Sequence, residues 1–250
     1  MNEVIETILK RKSVRVFEPK EIEPEKKHLI LQSALRAPTA GNMSLYTILD
    51  ITDQKLKEQL SETCDHQPFI AKAPLVLVFC ADYYRWYHCF RGLETPDYPV
   101  RKPDTGDVML AFEDTVIAAQ TAVLAAESMG IGSCYIGDIL ENYEIHQEIL
   151  GLPQYVAPVC MAVFGYPTEG QTRRRQSPRF EVEDMVFENG YWREKADRMY
   201  EMVKKREGKS RDEMEAYLSA FCTRKWNSAF SEEMSRSANR ILTAWKECGE

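Results

Sequence analysis

Three cations and a hydroxyl lie within five residues near the N-terminus, at Arg11, Lys12, Ser13 and Arg15. Such side chains donate charge-assisted hydrogen bonds, and together they can hold a terminal phosphate group. A helix predicted over residues 3–11 ends at the same place, and basic residues also stabilise a helix C-terminus through the helix dipole. The segment is therefore either a phosphate site or a solvated helix end.

Two further segments could bring their backbone close to a flat ligand. Residues 37–43, Ala-Pro-Thr-Ala-Gly-Asn-Met, combine small residues, a helix stop and polar side chains, which is typical of a tight loop. Residues 132–138, Gly-Ser-Cys-Tyr-Ile-Gly-Asp, read as a strand bounded by glycines. An ordinary connecting turn is the alternative for each, so neither segment decides a function alone.

Most familiar active-site motifs are missing from the sequence. There is no Gly-x-Ser-x-Gly, no phosphate loop ending in Gly-Lys-Ser/Thr and no His-Glu-x-x-His. The histidines lack metal-ligand spacing, so no metal site is expected. Gly130 and Gly132 follow a predicted helix instead of opening one, and Tyr135 replaces the third glycine of a dinucleotide-binding fingerprint. This argues against a Rossmann site.

Hydrophobic periodicity indicates which elements position these segments. Besides residues 3–11, helices are predicted from Pro24 until Pro38, from Asp53 to about Glu62, over 107–129 and over 143–150, and strands over 45–51, 75–79, 134–137 and 158–164. Because the run 75–79 is apolar throughout, that strand should lie at the centre of a sheet. The helix over 107–129 is apolar on more than one face and belongs in the core or in a subunit interface. The alternation favours a layered α/β arrangement.

Two regions depart from this alternation. Residues 82–106 are rich in Tyr, Trp, Pro and Gly without a period, which predicts a long excursion rather than core. Beyond residue 170 the composition shifts to a basic run at 173–175 and charged helical stretches at about 191–207 and 211–245.

Composition narrows the class of protein. The chain has 250 residues and a formal net charge of −7, which argues against nucleic acid as the main partner. No uninterrupted apolar run approaches the ~20 residues of a membrane span, and the acidic N-terminus does not resemble a secretion signal. A cytoplasmic protein is expected. Reduced thiols are expected at the seven cysteines, which are Cys64, Cys80, Cys89, Cys134, Cys160, Cys222 and Cys248.

Several motifs follow one another in a characteristic order. They are Arg-x-Ser-x-Arg-x-Phe at 11–17, Ala-Pro-Thr-Ala-Gly-Asn at 37–42, Gly-x-Gly-x-x-Tyr-Ile-Gly at 130–137, Phe-Gly-Tyr-Pro at 164–167, Pro-Arg-Phe at 178–180 and Phe-Glu-Asn-Gly-Tyr at 187–191. In this order they resemble the FMN-dependent nitroreductase family. The resemblance covers residues 1 to about 192.

The resemblance implies a fold and an assembly. The fold is α+β, a three-layer α/β/α sandwich around a mixed, mainly antiparallel sheet, in an obligate homodimer with FMN at the interface. Residues 1–192 would form the FMN-binding domain. Residues 193–250 would form a helical extension that packs on the same or the partner subunit.

The resemblance also assigns residues to the cofactor. Those expected at the phosphate and ribityl chain are Arg11, Lys12, Ser13 and Arg15, and Arg175 or Arg179 would supply a last cation. Those expected around the flavin ring are Gln67, Tyr135, Ile136 and Gly137. The loop with Pro38, Thr39 and Asn42 would serve the site of the other subunit. Ser177 and Ser44 depart from the family's usual pattern, since a cation and a glutamine are common at those positions.

The implied activity is electron transfer from NADPH or NADH through bound FMN to a nitroaromatic, quinone or similar acceptor, by a ping-pong mechanism. No catalytic side chain is required, because flavin N5 carries the chemistry. Aromatic residues of the excursion could line the acceptor pocket or pack as a surface flap; they are Tyr83, Tyr84, Trp86, Tyr87, Phe90 and Tyr98. Two alternatives remain open: reductive dehalogenation or flavin breakdown on the same scaffold, and a flavin-binding or storage protein without turnover.

Overall fold

The computed structural model describes residues 2–247. The α-helices are α1 (Glu3–Lys10), α2 (Pro24–Leu35), α3 (Gln54–Thr63), α4 (Phe69–Lys72), α5 (Tyr84–Arg91), α6 (Thr105–Ser128), α7 (Tyr143–Ile149), α8 (Glu169–Arg173), α9 (Val182–Met185), α10 (Arg193–Ala196), α11 (Met199–Glu207), α12 (Arg211–Lys225) and α13 (Ala229–Lys246). The strands are β1 (Tyr46–Asp50), β2 (Leu75–Asp82), β3 (Gly132–Ile136) and β4 (Val156–Gly165). Short 3-10 turns cover Ala40–Asn42 and Asp138–Leu140.

The strands form one sheet in the order β1-β2-β4-β3. All three pairings are antiparallel, with Ile48 opposite Phe79, Val78 opposite Met161 and Cys134 opposite Val163. Every residue of β2 and β4 is buried, so the prediction that the apolar run 75–79 is a central strand is confirmed. Within residues 2–247 the one parallel pairing is an isolated bridge between Ser13 and Ser133, which lies at the β3 edge of this antiparallel sheet.

Helices cover both faces of the sheet, as the three-layer prediction requires. On one face Leu77 and Phe79 pack against α2 and α6 through Ile30 and Ala122. On the other face Val78 packs against α3 and α4 in a cluster that includes Leu60 and Ile70. The antiparallel sheet with helices on both sides is the expected α+β architecture.

Helix α6 is the longest element and lies in the core. It begins with a capping box between Asp104 and Asp107, and Gly130 follows its end with φ +74°, a conformation that favours glycine. In the described part of the chain it is the one helix long and apolar enough, by length and composition, to cross a membrane. Its face with Ala118, Ala119 and Ala122 is buried against the sheet, as in core helices of globular proteins.

Residues 82–106, predicted as an excursion without a period, contain a helix, because Tyr84–Arg91 forms α5. Trp86, Tyr87 and Phe90 recur at the i, i+1 and i+4 positions of one helix face, and Trp86 packs on Phe90 with ring centroids 5.3 Å apart. Because the segment is rich in aromatic residues, this stripe does not stand out as a hydrophobic period in the sequence. The charged helical stretches predicted over 191–207 and 211–245 are each divided into two helices, α10 with α11 and α12 with α13.

The chain packs as two compact units. One extends to Arg174 and includes the chain again from Glu233, and the other is Arg175–Glu232. The last helix therefore starts in the second unit and ends in the first. The domain division predicted after residue 192 concerns FMN binding and stays a prediction.

The six cysteines in the described range are free thiols, of which Cys64, Cys80, Cys134 and Cys160 are buried. Cys89 and Cys222 are exposed. Cys248 lies outside the described residues.

Candidate functional site

The N-terminal cation segment is fixed along the β3 edge of the sheet. Ser13 bridges Ser133, and the Val14 amide donates to the Ser133 carbonyl at 2.8 Å. Two glycines permit this close approach. A methyl group on Gly132 would lie 2.6 Å from Val14 Cγ2, and one on Gly165 would lie 2.7 Å from Phe17 Cδ1. The glycines of two recognised motifs thus allow the cation segment to lie close to the sheet.

A second basic segment lies against the first. Lys12 Nζ donates to the carbonyls of Thr172 at 2.5 Å and Arg174 at 2.7 Å. In return the Arg174 guanidinium donates to the Ser13 carbonyl. The Arg15 amide donates to Gln171 Oε1 at 3.3 Å, and the Arg15 side chain is exposed. Arg174 therefore joins the predicted phosphate residues.

Sequence reasoning missed Arg174 although it noticed the basic run 173–175. Within that run only packing selects the residue, and the structure places Arg174 on Ser13. Arg175 and Arg179 belong to the second unit, where the Arg179 guanidinium donates to the Pro178 carbonyl at 3.3 Å. That either of them binds phosphate stays a prediction.

The cations influence buried polar groups beside them. Burial raises the pKa of the Cys134 thiol, while Arg15, Arg11 and the Ser13 hydroxyl act to lower it. Burial also raises the pKa of Glu127, against the opposing effect of Arg11 and Lys12. The adjoining Ser133 Oγ is buried without a hydrogen-bond partner. The start of β3 is thus rich in positive charge, with an unsatisfied hydroxyl beside it.

The other end of β3 has a different character. Gly137 is exposed, and a side chain there would meet no atom within 4 Å. Tyr135 is half-buried, its hydroxyl donates to Gln120 Oε1 at 3.4 Å, and burial raises its pKa. Ile136 is 1% exposed and its side chain packs in the core.

Gln67 lies after α3, which packs beside the turn that follows Gly137. Asn142 Nδ2 in that region donates to the Thr63 carbonyl at 3.1 Å. Gln67 is half-buried, and its Nε2 donates to the Cys64 carbonyl at 2.8 Å. Its amide oxygen makes no such hydrogen bond to the end of α3. Tyr135, Ile136 and Gly137 thus lie at one end of β3 and the cations lie at its start, whereas Gln67 is tied to the end of α3.

Loop 37–43 is attached to the first half of α6. Asp114 is 3% exposed and accepts hydrogen bonds from the Thr39 hydroxyl, from the Ala40 amide at 2.9 Å and from the Leu45 amide at 3.2 Å. Pro38 and Asn42 are exposed, and Asn42 has φ +58°. The Thr39 side chain thus holds the loop, which leaves exposed Pro38 and Asn42 for contact with other molecules.

Within one chain this loop and the cations are far apart. Asp114 holds the loop, and Glu127 lies beside Arg11 and Lys12. Thirteen residues of helix separate the two carboxylates, which corresponds to about 20 Å along the axis. The predicted flavin residues therefore form two groups in the protomer, one along β3 and one at the loop.

Glu141 provides a titratable group near the ring end of β3. Burial raises its pKa from 4.5 to about 7, and the carboxylates of Asp138, Asp65 and Glu233 add to the effect. The folded state therefore holds a proton that the unfolded chain loses, and stability falls as pH rises from about 4.5 to about 7. Glu141→Gln is expected to raise the free energy of unfolding by about 1–2 kcal/mol at pH 8.

Urea unfolding at pH 5 and pH 8 measures this effect. The gain of Glu141→Gln should be small at pH 5, where the native carboxyl is already protonated. Glu148→Gln changes an exposed glutamate of α7 and serves as the control. Equal gains for Glu141→Gln at both pH values would contradict the assignment.

Comparisons with known proteins identify the family of this chain. The sequence matches the nitroreductase family over residues 8–166, which include the cation segment, the loop and β3. The chain belongs to the nitroreductase family. This confirms the resemblance inferred from the motif order and the α+β fold class that it implied.

Individual members show how far the likeness extends. This chain is 32% identical to FMN reductase (NADPH) of Bacillus subtilis over 192 residues. The match covers 76% of this chain and 75% of that protein. The structure of this chain resembles B. megaterium NfrA2 with a TM-score of 0.77 at 27% identity, covering 96% and 98% of the two chains. It resembles Vibrio harveyi NADPH:FMN oxidoreductase, solved with NAD+, with a TM-score of 0.75 at 26% identity and the same coverage.

Proposed function

We propose that this protein is an FMN-dependent oxidoreductase that passes electrons from NADPH or NADH to a small aromatic acceptor such as a nitroaromatic or a quinone. The observation that carries the proposal is the cation cluster at the start of β3. Arg11, Lys12, Arg15 and Arg174 converge there around Ser13, beside the unsatisfied hydroxyl of Ser133. A phosphate dianion suits this set of donors.

The residues fit the rest of FMN as well. From Ser133 to Gly137 the strand extends about 13 Å, which separates a charged end from an end with open backbone. Gly137 offers its backbone without a side chain in the way, and the partly buried Tyr135 supplies apolar cover. Bound FMN supplies the redox chemistry, by accepting two electrons and a proton from the nicotinamide and passing them to the acceptor.

The side chains of this protein then bind and orient rather than react. Arg11, Arg15 and Arg174 would hold the phosphate, and Gln67 would offer an amide to the ring edge. Among residues 2–247 no group of three His, Cys, Asp or Glu side chains could hold a metal ion. NADPH-flavin oxidoreductase of Vibrio harveyi and FMN reductase (NADPH) of Bacillus subtilis carry names that agree with this function, which favours it over flavin storage.

A homodimer is part of the proposal. The loop and the cation cluster cannot meet in one chain, so Pro38, Thr39 and Asn42 would complete the site of a second subunit. Large apolar side chains remain exposed on α1 and α6, and a second copy would cover them; they are Val4, Ile5, Ile8, Leu9, Met109, Leu110, Val116 and Ile117. The free thiols in the described range suit the expected cytoplasmic location.

The experiment is an absorbance spectrum of the purified chain, with FMN added if it is colourless, followed by anaerobic NADPH or NADH. We expect a flavin spectrum that bleaches on addition of the nicotinamide. Arg15→Ala should weaken FMN binding about 10- to 100-fold, since it removes a charge-assisted hydrogen bond to the phosphate.

Lys10→Ala is the matched control, because Lys10 is an exposed cation nearby whose ammonium pairs with Glu6 at 3.0 Å. It should leave FMN binding unchanged. A protein that takes up no FMN would overturn the proposal. FMN uptake without reduction by either nicotinamide would favour a flavin-storage protein.

A further inference from the structure

An aromatic cavity of about 310 Å³ lies between α5 and the segment that precedes α6. The residues of its apolar wall are Met43, Tyr83, Trp86, Tyr87, Phe90 and Tyr98. The volume is at the lower end of the range for small-molecule sites, and one or two fused rings would fill it. Tyr84 packs on His88 instead, with tilted rings whose centroids are 4.1 Å apart, and does not line the cavity.

Contacts behind the wall hold the cavity open. Trp86 Nε1 donates to the Met43 carbonyl at 2.7 Å. Tyr87 packs edge-to-face on Tyr155, which is 3% exposed, with centroids 5.1 Å apart. Since these side chains are tied to the core, an entering ring meets formed aromatic surfaces and little side-chain entropy is lost.

One charged pair lines the cavity, and its two members differ in exposure. Arg101 contacts Asp107 through two hydrogen bonds of 2.5 and 2.8 Å. The Arg101 side chain is 74% exposed, whereas that of Asp107 is 10% exposed. Asp107 also accepts from the Asp104 amide at 2.8 Å and from the Tyr83 hydroxyl. A ligand therefore meets the guanidinium, while the carboxylate lies below it with its oxygens occupied.

The Arg101 guanidinium keeps donors for a ligand. Of its five N–H groups, three donate within the protein, two to Asp107 and one to the Lys102 carbonyl at 3.2 Å. A cation beside aromatic walls is complementary to a flat ring with an anionic edge, because stacking and a charge-assisted hydrogen bond act together.

We propose that this cavity is a binding site for a planar aromatic carboxylate, held by stacking on Phe90 and Trp86 and by the Arg101 guanidinium. Met43 joins the cavity to loop 37–43. If that loop serves FMN, a point that rests on the proposed function, an occupant would also change FMN affinity by linkage. The binding site itself does not depend on flavin.

The test is calorimetric titration of the full-length protein with 2-naphthoate, both before and after loading with FMN. We expect saturable binding in both forms and weaker binding of neutral 2-naphthamide. Phe90→Ala should weaken 2-naphthoate binding about 3- to 10-fold through lost stacking. Arg101→Gln should weaken it about tenfold and abolish the preference for the carboxylate.

Two matched variants separate this site from general effects. Tyr84→Ala removes an aromatic side chain of α5 that is 37% exposed, as Phe90 is, but does not line the cavity. Arg91→Gln removes an exposed guanidinium that pairs with Glu94. Both should bind 2-naphthoate as the unmodified protein does.

Absence of binding, or equal binding by Phe90→Ala and Tyr84→Ala, would overturn the proposal. So would a preference for carboxylate that survives Arg101→Gln. If nicotinamide fails to reduce FMN while 2-naphthoate binds as expected, the proposed function fails and this site stands.

Discussion

Gly132→Ala is expected to lower both the stability and the FMN affinity of this protein. The new methyl group would lie 2.6 Å from Val14 Cγ2 and 2.9 Å from Val14 Cβ. Val14 is 3% exposed and stiff at its branched Cβ, so the N-terminal segment must move off the strand. Overpacking of this kind costs about 1–3 kcal/mol. In a chain of this size, that corresponds to a Tm lower by about 2–12 °C.

The effect on FMN should exceed the effect on stability. Arg11, Ser13 and Arg15 flank Val14, so a shift of that residue moves the donors proposed for the phosphate together. Loss of two charge-assisted hydrogen bonds would weaken FMN binding about 100-fold or more. FMN fluorescence titration and thermal unfolding measure the two effects.

Gly106→Ala is the control for adding a methyl group at a glycine. Nothing lies within 4 Å of the position, which is in the first turn of α6. Its Tm should be unchanged or slightly higher, because alanine favours a helix over glycine. If Gly132→Ala bound FMN normally, the segment next to Val14 would not hold the phosphate.

Strand β2 and helix α5 show what the sequence can and cannot predict about the fold. Residues 75–79 are apolar without alternation, and only a strand covered on both faces buries such a run, so its central place was predictable. Helix α5 was not. Tyr83 precedes it without a side-chain cap, and its stripe of Trp86, Tyr87 and Phe90 becomes meaningful only against the wall formed by Met43 and Tyr155.

The candidate site likewise has residues that the sequence predicts and residues that only the folded structure shows. The motif order indicated Arg11, Ser13 and Arg15, because local spacing brings those groups together. Arg174 is separated from Ser13 by 161 positions, and nothing in a run of three arginines says which one turns toward it. Asp114 was missed for a related reason. A single acidic residue in a helix usually faces water, and only the folded chain brings a loop 74 residues earlier onto it.

Asp114→Asn is accordingly expected to lower the free energy of unfolding by about 3 kcal/mol, because the buried NH2 group of the asparagine would face hydrogen-bond donors. The Thr39 hydroxyl and the Leu45 amide both donate to one carboxylate oxygen, and the Ala40 amide donates to the other. An asparagine can accept at only one of these two positions. The expected fall in Tm is about 6–12 °C, measured by thermal unfolding.

The same substitution should loosen loop 37–43 without touching the cation cluster. If the loop of one subunit completes the FMN site of the other, FMN should dissociate faster from Asp114→Asn, whereas Glu113→Gln, an exposed neighbour on α6, should change neither stability nor FMN release. Mixed dimers provide the decisive arrangement. A dimer of one Asp114→Asn chain and one Arg15→Ala chain should keep one intact site, because both defects then fall on the same flavin. Two weakened sites in that dimer would instead mean that each chain uses its own loop.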